Sequence, residues 1–210
     1  MRLHDISPVI RSTTAVWPGD VPFRRDVALA QARGDHLDLS AIHTTVHIGA
    51  HTDAPNHYVA DGVGIDARPL ELYLGPCQVI TANVGRGERI EAADLAAPVA
   101  APRVLLRTGT FPDPDHFHED FAALSPALVH HLAAAGVRLV GIDTPSVDLC
   151  HDAELLSHHA IAEHDLAILE GIVLTGVPDG HYTLVALPLR IEGADASPVR
   201  AVLIDGPLPS

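Results

Sequence analysis

Residues 47–57 read HIGAHTDAPNH, which spaces His47, His51, Asp53 and His57 at intervals of four, two and four. Imidazole and carboxylate together suit zinc, manganese or ferrous ions, and a carboxylate with two oxygens can bridge a pair of ions. The chain carries 15 histidines in 210 residues, so chance clustering competes with a metal site. The element carrying these residues weighs between the two. A helix would set His47 and His51 on one face, but it would turn Asp53 about 200° away from His51. Thr44, Thr45, Val46 and Ile48 are β-branched, and Gly49 and Pro55 interrupt the run, which disfavours a helix. A strand puts His43, Thr45, His47, Gly49, His51 and Asp53 on one side, with Ile42, Val46, Ile48, Ala50 and Ala54 behind. Alternation is expected to fail near Pro55, so that His57 enters from the following turn.

A second anomaly lies in SHHAIAEHDLAILEGIVL, residues 157–174. In a strand, Glu170 shares a face with Leu166, Ile168, Ile172 and Leu174, while Leu169 and Val173 take the other. An ionised carboxylate in such surroundings costs several kcal/mol unless it is paired or bound to a metal. The competing reading is a glutamate on an exposed sheet edge. His158 and His159 open a predicted helix, and either could supply an imidazole. The two fragments offer enough nitrogen and oxygen donors for one or two ions, with no cysteine among them.

The elements that must position these residues are mostly strands. Runs at Cys77–Asn83, Arg103–Arg107, Val137–Asp143, Ala167–Leu174, Tyr182–Arg190 and Val199–Leu203 are apolar on both faces, as strands covered on both sides are. One helix is well signalled: Ser125 as cap, Pro126 in the first position, a stripe of Leu128, Val129 and Leu132, and Gly136 as terminator. A weaker one covers about Ala153–His164. The Pro/Ala-rich patch from Ala92 to Pro102 reads as a helical turn and a loop. A mixed α/β fold with a strand-rich core and few helices follows.

Composition narrows the function classes. A formal charge of −14 argues against nucleic acid or an anionic membrane as partner, since both call for a basic patch. No run approaches the roughly 18 apolar residues of a membrane span, and the N-terminus lacks the pattern of a signal peptide. Cys77 and Cys150, with no CxxC pairing, read as two reduced, buried thiols of a cytoplasmic protein.

With both fragments in view, the chain resembles the bacterial cyclase-like metal hydrolases, and within them the kynurenine formamidases. The HxGxHxDxPxH signature is met by His47, Gly49, His51, Asp53, Pro55 and His57, and the later histidine-to-glutamate interval of twelve by His158 and Glu170. GIDTPSVD at Gly141–Asp148, WPGD at Trp17–Asp20 and LPLRIEGADASPVRAVL at 187–203 also look like that branch. Asn56 departs from it, being polar where the branch often has an apolar residue. The resemblance implies a single mixed-sheet domain of the swivelling β/β/α type over 1–210, and a homodimer. It implies two divalent ions, zinc or alternatively manganese: His47, His51 and Asp53 on one, Asp53, His158 and Glu170 on the other, with Asp53 bridging. His57 would be the general acid/base and Trp17 an aromatic wall against the substrate ring. The implied activity is hydrolysis of an aryl formamide, N-formyl-L-kynurenine. The alternatives are another cyclase-family hydrolase, such as an isatin hydrolase, or a metal-binding protein without turnover.

Other chemistries fit less well. There is no GxSxG nucleophile elbow, and Ser146 reads as a pocket or turn residue. Cys150 and His151 are adjacent, so their side chains are expected to diverge. Arg24, Arg25, His130 and His131 read as surface groups.

Overall fold

The apolar runs read as strands in the sequence lie side by side in one seven-stranded sheet. The structure is a computed structural model and describes residues 2–206; the ends of the expected 1–210 domain, Met1 and residues 207–210, lie outside the described residues. In chain order the first strands are β1 (Leu3–Asp5), β2 (Arg24–Leu29), β3 (Leu39–His43), β4 (His51–Asp53), β5 (Leu74–Thr81), β6 (Arg89–Ile90) and β7 (Arg103–Arg107). The rest are β8 (Ala123–Leu124), β9 (Leu139–Ile142), β10 (Ala167–Leu169), β11 (Gly180–Val185), β12 (Ala196–Pro198) and β13 (Val202–Asp205). Two α-helices, α1 (Pro126–Ala134) and α2 (Leu156–Glu163), complete the regular structure among the described residues, apart from short 3-10 turns.

The large sheet runs β1-β13-β11-β5-β7-β9-β10. Its first half is antiparallel, and from β5 to β10 the strands are parallel. Alternate residues feed separate cores on its two faces. Val104, Leu106, Val140, Ile142 and Ile168 pack with Leu128 and Leu132 of α1 and Ile161 of α2. Leu105, Leu139, Ala167 and Leu169 point the other way, toward Tyr73, Ile172 and Leu203. Covering on both sides explains why these strands carry no polar face. Helix α1 begins as its sequence dictates: the Ser125 hydroxyl accepts from the Leu128 N–H at 3.0 Å, and Gly136 ends it at φ +84°. No helix of the described residues is long and apolar enough to cross a membrane.

Four sequence expectations need correction. The strand expected over Tyr182–Arg190 stops at Val185, leaving Leu187 and Leu189 exposed, and of the two thiols expected to be buried Cys150 is only partly so. The strand expected through residues 43–53 is broken: β3 ends at His43, residues 44–50 form turns, and β4 covers only His51–Asp53. Gly49 sits at φ +59°, a left-handed conformation that no strand continues through. Ile42 of the expected apolar face is 67% exposed, whereas Ile48, Ala50 and Ala54 are buried. The strand expected over Ala167–Leu174 stops at Leu169, because Gly171 at φ +63° turns the chain. The turn after Pro55 is present as expected, as a 3-10 turn over Pro55–His57.

Candidate functional site

Backbone pairing, more than alternation within one strand, assembles the site. Strand β4 lies between β12 and the end of β10. It pairs with β12 in the register Asp53↔Ala196 and His51↔Pro198. On its other side, His51 N–H donates to Glu170 O at 3.1 Å and Glu170 N–H to His51 O at 2.9 Å. An antiparallel pair sets its two side chains next to each other on one face, and His51 Nε2 is 3.1 Å from Glu170 Oε2. His47 arrives from the preceding turn, with Nδ1 3.1 Å from Asp53 Oδ1. His158 comes from α2, with Nε2 3.6 Å from Asp53 Oδ2 and 4.0 Å from Glu170 Oε1. His159, one residue on, faces solvent. The structure therefore brings together His47, His51, Asp53, His57, His158 and Glu170. Four of them, His51, Asp53, His158 and Glu170, are at most 3% exposed.

Each of the three buried or half-buried imidazoles has its outer nitrogen anchored. His47 Nε2 is 3.0 Å from Asp195 Oδ2, His51 Nδ1 is 3.0 Å from Gly49 O, and His158 Nδ1 is 2.8 Å from Asp148 Oδ2. The anchors fix the tautomers and leave His47 Nδ1, His51 Nε2 and His158 Nε2 directed at Asp53. Asp148 also accepts from the Ser157 and His158 backbone N–H groups at the start of α2 and from Arg89. It thus caps the helix that carries His158, in place of a local cap, since Leu155 at φ +50° supplies none. Glu170 Oε1 accepts from Val147 N–H at 2.7 Å.

The donors fit a divalent metal. Asp53 Oδ1 is buried with no hydrogen-bond partner among the described residues, although His47 Nδ1 and His51 Nε2 lie 3.1 and 3.5 Å away. Buried polar atoms are normally satisfied, and these separations are near the ~3.3 Å between tetrahedral donors about 2.0–2.1 Å from a zinc ion. His47, His51 and Asp53 form one compact donor group; Asp53, His57 and His158 form a second. The electrostatics point the same way. Burial opposes charge on His47 and His158, yet the surrounding carboxylates win: Asp53 and Asp195 hold His47 up to about 9, and Asp148 and Asp53 hold His158 up to about 10. Burial likewise opposes the ionised form of Asp53, but His158 and His47 hold its carboxyl well below the usual range. A centre that retains protons so firmly has a strong affinity for positive charge, which a metal ion can supply in their place.

These residues form the floor of a cavity of about 540 Å³. Trp17 lines it, stacked edge-on against Phe117 at 5.5 Å and Phe121 at 6.2 Å, with Phe111 completing the aromatic wall. His57 stands at the rim, half-exposed, its ring 4.3 Å from that of His47. Ser146 is a pocket-wall residue whose hydroxyl accepts from Asp148 N–H, and exposed His151 pairs with Glu119. Sequence reasoning missed the roles of Asp148 and Asp195, although both lie in stretches it singled out. It also missed Phe111 and Phe117. The available signal was that three of only four phenylalanines fall within residues 111–121.

Known proteins resemble this chain in sequence and in fold. Residues 4–149 match the family model described as "Putative cyclase". A kynurenine formamidase from Maricaulis maris (strain MCS10) is 45% identical over 208 residues, 98% of this chain and 99% of that one. A solved structure of a "predicted metal-dependent hydrolase" from Bacillus stearothermophilus aligns with TM-score 0.79 and 27% identity over 96% of this chain and 97% of that one. Isatin hydrolase A from Labrenzia aggregata aligns with TM-score 0.81 over 98% and 94% of the two chains; at 22% identity this likeness concerns the fold alone. The family match and the 45% identity over nearly the whole chain establish that this protein belongs to the cyclase family, in its kynurenine formamidase branch.

Proposed function

We propose that this protein is a metal-dependent arylformamidase that hydrolyses N-formyl-L-kynurenine to L-kynurenine and formate. The observation that carries the reading is the unpartnered Asp53 Oδ1 among imidazole nitrogens at the floor of an aromatic cavity. His47, His51 and Asp53 would hold one divalent ion; Asp53, His158 and Glu170 would hold a second, with Asp53 bridging. This nitrogen and oxygen donor set accepts zinc and manganese alike, and zinc is the ion that the family resemblance implies. The relative from Maricaulis maris supports the substrate class.

Hydrolysis adds the elements of water across the C–N bond: the formyl carbon gains the oxygen and leaves as formate, and the nitrogen gains a proton. Bound divalent ions would supply Lewis-acid polarisation and acidified water near neutral pH. The chain's own residues do the rest. Trp17, Phe111 and Phe117 receive the aryl ring edge- or face-on and exclude solvent from the carbonyl. His57 stands half-exposed beside the donor cluster, where an imidazole can take a proton from water and pass it to the departing aromatic amine. Asp148 and Asp195 keep the ligating rings oriented.

We further infer a homodimer acting in the cytoplasm. Among the described residues, strands β2 and β3 pair only with each other, and a lone hairpin is marginal in water. Theirs exposes Val27, Leu39 and Ile42, as a surface awaiting a second copy would. The two unpaired thiols suit a reducing compartment. The deciding assay measures formate release from N-formyl-L-kynurenine and ring opening of isatin, each with and without a chelator. Chelator-sensitive formate release is expected; its absence would remove the formamidase reading.

A further inference from the structure

Asp195 orients His47, and its carboxylate also faces a second ring of the site, that of His57. Its Oδ2 lies 3.0 Å from His47 Nε2 and 3.6 Å from His57 Nδ1. The same oxygen thus faces a ligand candidate and the proton-transfer candidate, whose rings are themselves 4.3 Å apart. His57 belongs to two compact donor groups: one with His47 and Asp195, the other with Asp53 and His158. His57 thus neighbours both the Asp195 carboxylate and the Asp53 and His158 donors.

The loop bearing Asp195 is tied to the segment that carries His57 and to the turn after it by three hydrogen bonds, which fix the backbone from which that carboxylate projects. Ala54 N–H donates to Asp195 O at 2.8 Å and Ile65 N–H to Ala194 O at 2.9 Å. Asn56, the residue beside His57, donates through Nδ2 to Gly193 O at 3.1 Å. Strand β12 then begins in register with Asp53. The side chain itself is about half exposed (49%), so it makes little contribution to packing.

We propose that Asp195 is a positioning residue that serves two partners with one carboxylate. It orients His47 for metal ligation and aims the His57 ring for proton transfer, coupling the two. The inference rests on the formamidase reading of the site. A carboxylate behind a ligating histidine changes metal affinity or activity by about 10–100-fold when removed. A carboxylate behind an acid/base histidine acts on turnover, and only while that histidine is present.

The test is the substitution Asp195→Ala made alone and in a His57→Ala background. Zinc affinity, zinc stoichiometry and steady-state kinetics on N-formyl-L-kynurenine are read for each protein. Zinc affinity is expected to fall about 10–100-fold in both backgrounds, with stoichiometry at saturating zinc unchanged. In the zinc-saturated single variant kcat should fall about 10–100-fold, with KM within about threefold. In the His57→Ala background the same change should alter kcat by less than about threefold. Asp195→Asn, which retains one acceptor oxygen, should recover part of both losses. The proposal is overturned if the saturated variant turns over within about twofold of wild type, or if kcat falls by the same factor in both backgrounds. Loss of one equivalent of zinc would also overturn it, since Asp195 would then be a ligand. Failure of wild type to release formate would instead remove the formamidase reading.

Discussion

Asp148→Ala gives the most direct measure of how the fold supports the site. The Asp148 carboxylate is 1% exposed and accepts from four donors: Ser157 N–H at 2.9 Å, His158 N–H at 3.0 Å, His158 Nδ1 at 2.8 Å and Arg89 Nη1 at 2.9 Å. Alanine leaves the two backbone donors at the head of α2 and one imidazole N–H without partners, while Arg89 keeps Leu124 O, Ser157 Oγ and Asp152. Hydrogen bonds to a charged group contribute about 1.5–3 kcal/mol each, but these share one acceptor and do not add. The loss expected is therefore that of a broken buried pair, about 3–5 kcal/mol. At about 2–4 °C per kcal/mol for a chain of this size, Tm should fall by about 6–20 °C in the presence of chelator. The freed His158 ring should also weaken zinc binding about 10–100-fold, read by competition with a chromophoric chelator. The effect has a pH signature. Burial opposes ionisation of Asp148, but His158, the Ser157 and His158 N–H groups and Arg89 hold its carboxyl below the usual range. Its contribution is present above the unfolded carboxyl value of about 3.9 and fades as pH falls through the lower folded value. The difference from wild type should thus be full at pH 6 and shrink below about pH 4. A Tm within about 2 °C of wild type at pH 7, with unchanged zinc affinity, would refute this account of the cap.

Three further perturbations probe separate parts of the reasoning. His57→Ala should keep bound metal near the wild-type level while lowering kcat by about 10²–10⁴; unaltered turnover on N-formyl-L-kynurenine would strip His57 of its role. At Gly171 (φ +63°), an added Cβ would collide with the Gly49 carbonyl oxygen that anchors His51 Nδ1. Gly171→Ala should therefore cost about 2 kcal/mol or more and weaken zinc binding, and a variant matching wild type in both melting and zinc titration would contradict it. Ile42→Glu places a charge on the exposed hairpin and should shift light-scattering mass from twice the 22.2 kDa chain toward the single chain; a wild type that is already monomeric removes the dimer.

What the sequence reveals about this site follows the distance over which each signal acts. The ligand candidates sit in two short windows, where type and spacing stand out against an apolar background. Glu170 is conspicuous as a carboxylate among leucines and isoleucines, and the structure places it 2% exposed. His158 is separated from His159 by its interval of twelve to Glu170, and the structure buries His158 at 3% exposure while His159 faces solvent. Helix α1 is legible down to its cap, since Ser125, Pro126 and Gly136 act within a few residues of the segment they bound. Asp195 meets His47 across 148 positions of chain, through a strand pairing that no local pattern announces. Phe117 and Phe121 meet Trp17 in the same non-local way.

The broken strand at 44–50 shows why a correct grouping can arise from a wrong element. Period two placed His47, His51 and Asp53 on one face, yet His47 reaches the site through a turn closed by a left-handed glycine. What the alternation detected was a chain alternating between buried and site-facing environments; Ile48, Ala50 and Ala54 are buried in either geometry. The dominant geometric constraint is the single antiparallel bridge His51↔Glu170. Its two backbone hydrogen bonds set the two side chains beside each other. Each residue is a polar group buried at a strand end, costly to bury alone. Side by side, with Asp53 in the same strand two residues on, they become donors that one or two cations can satisfy together.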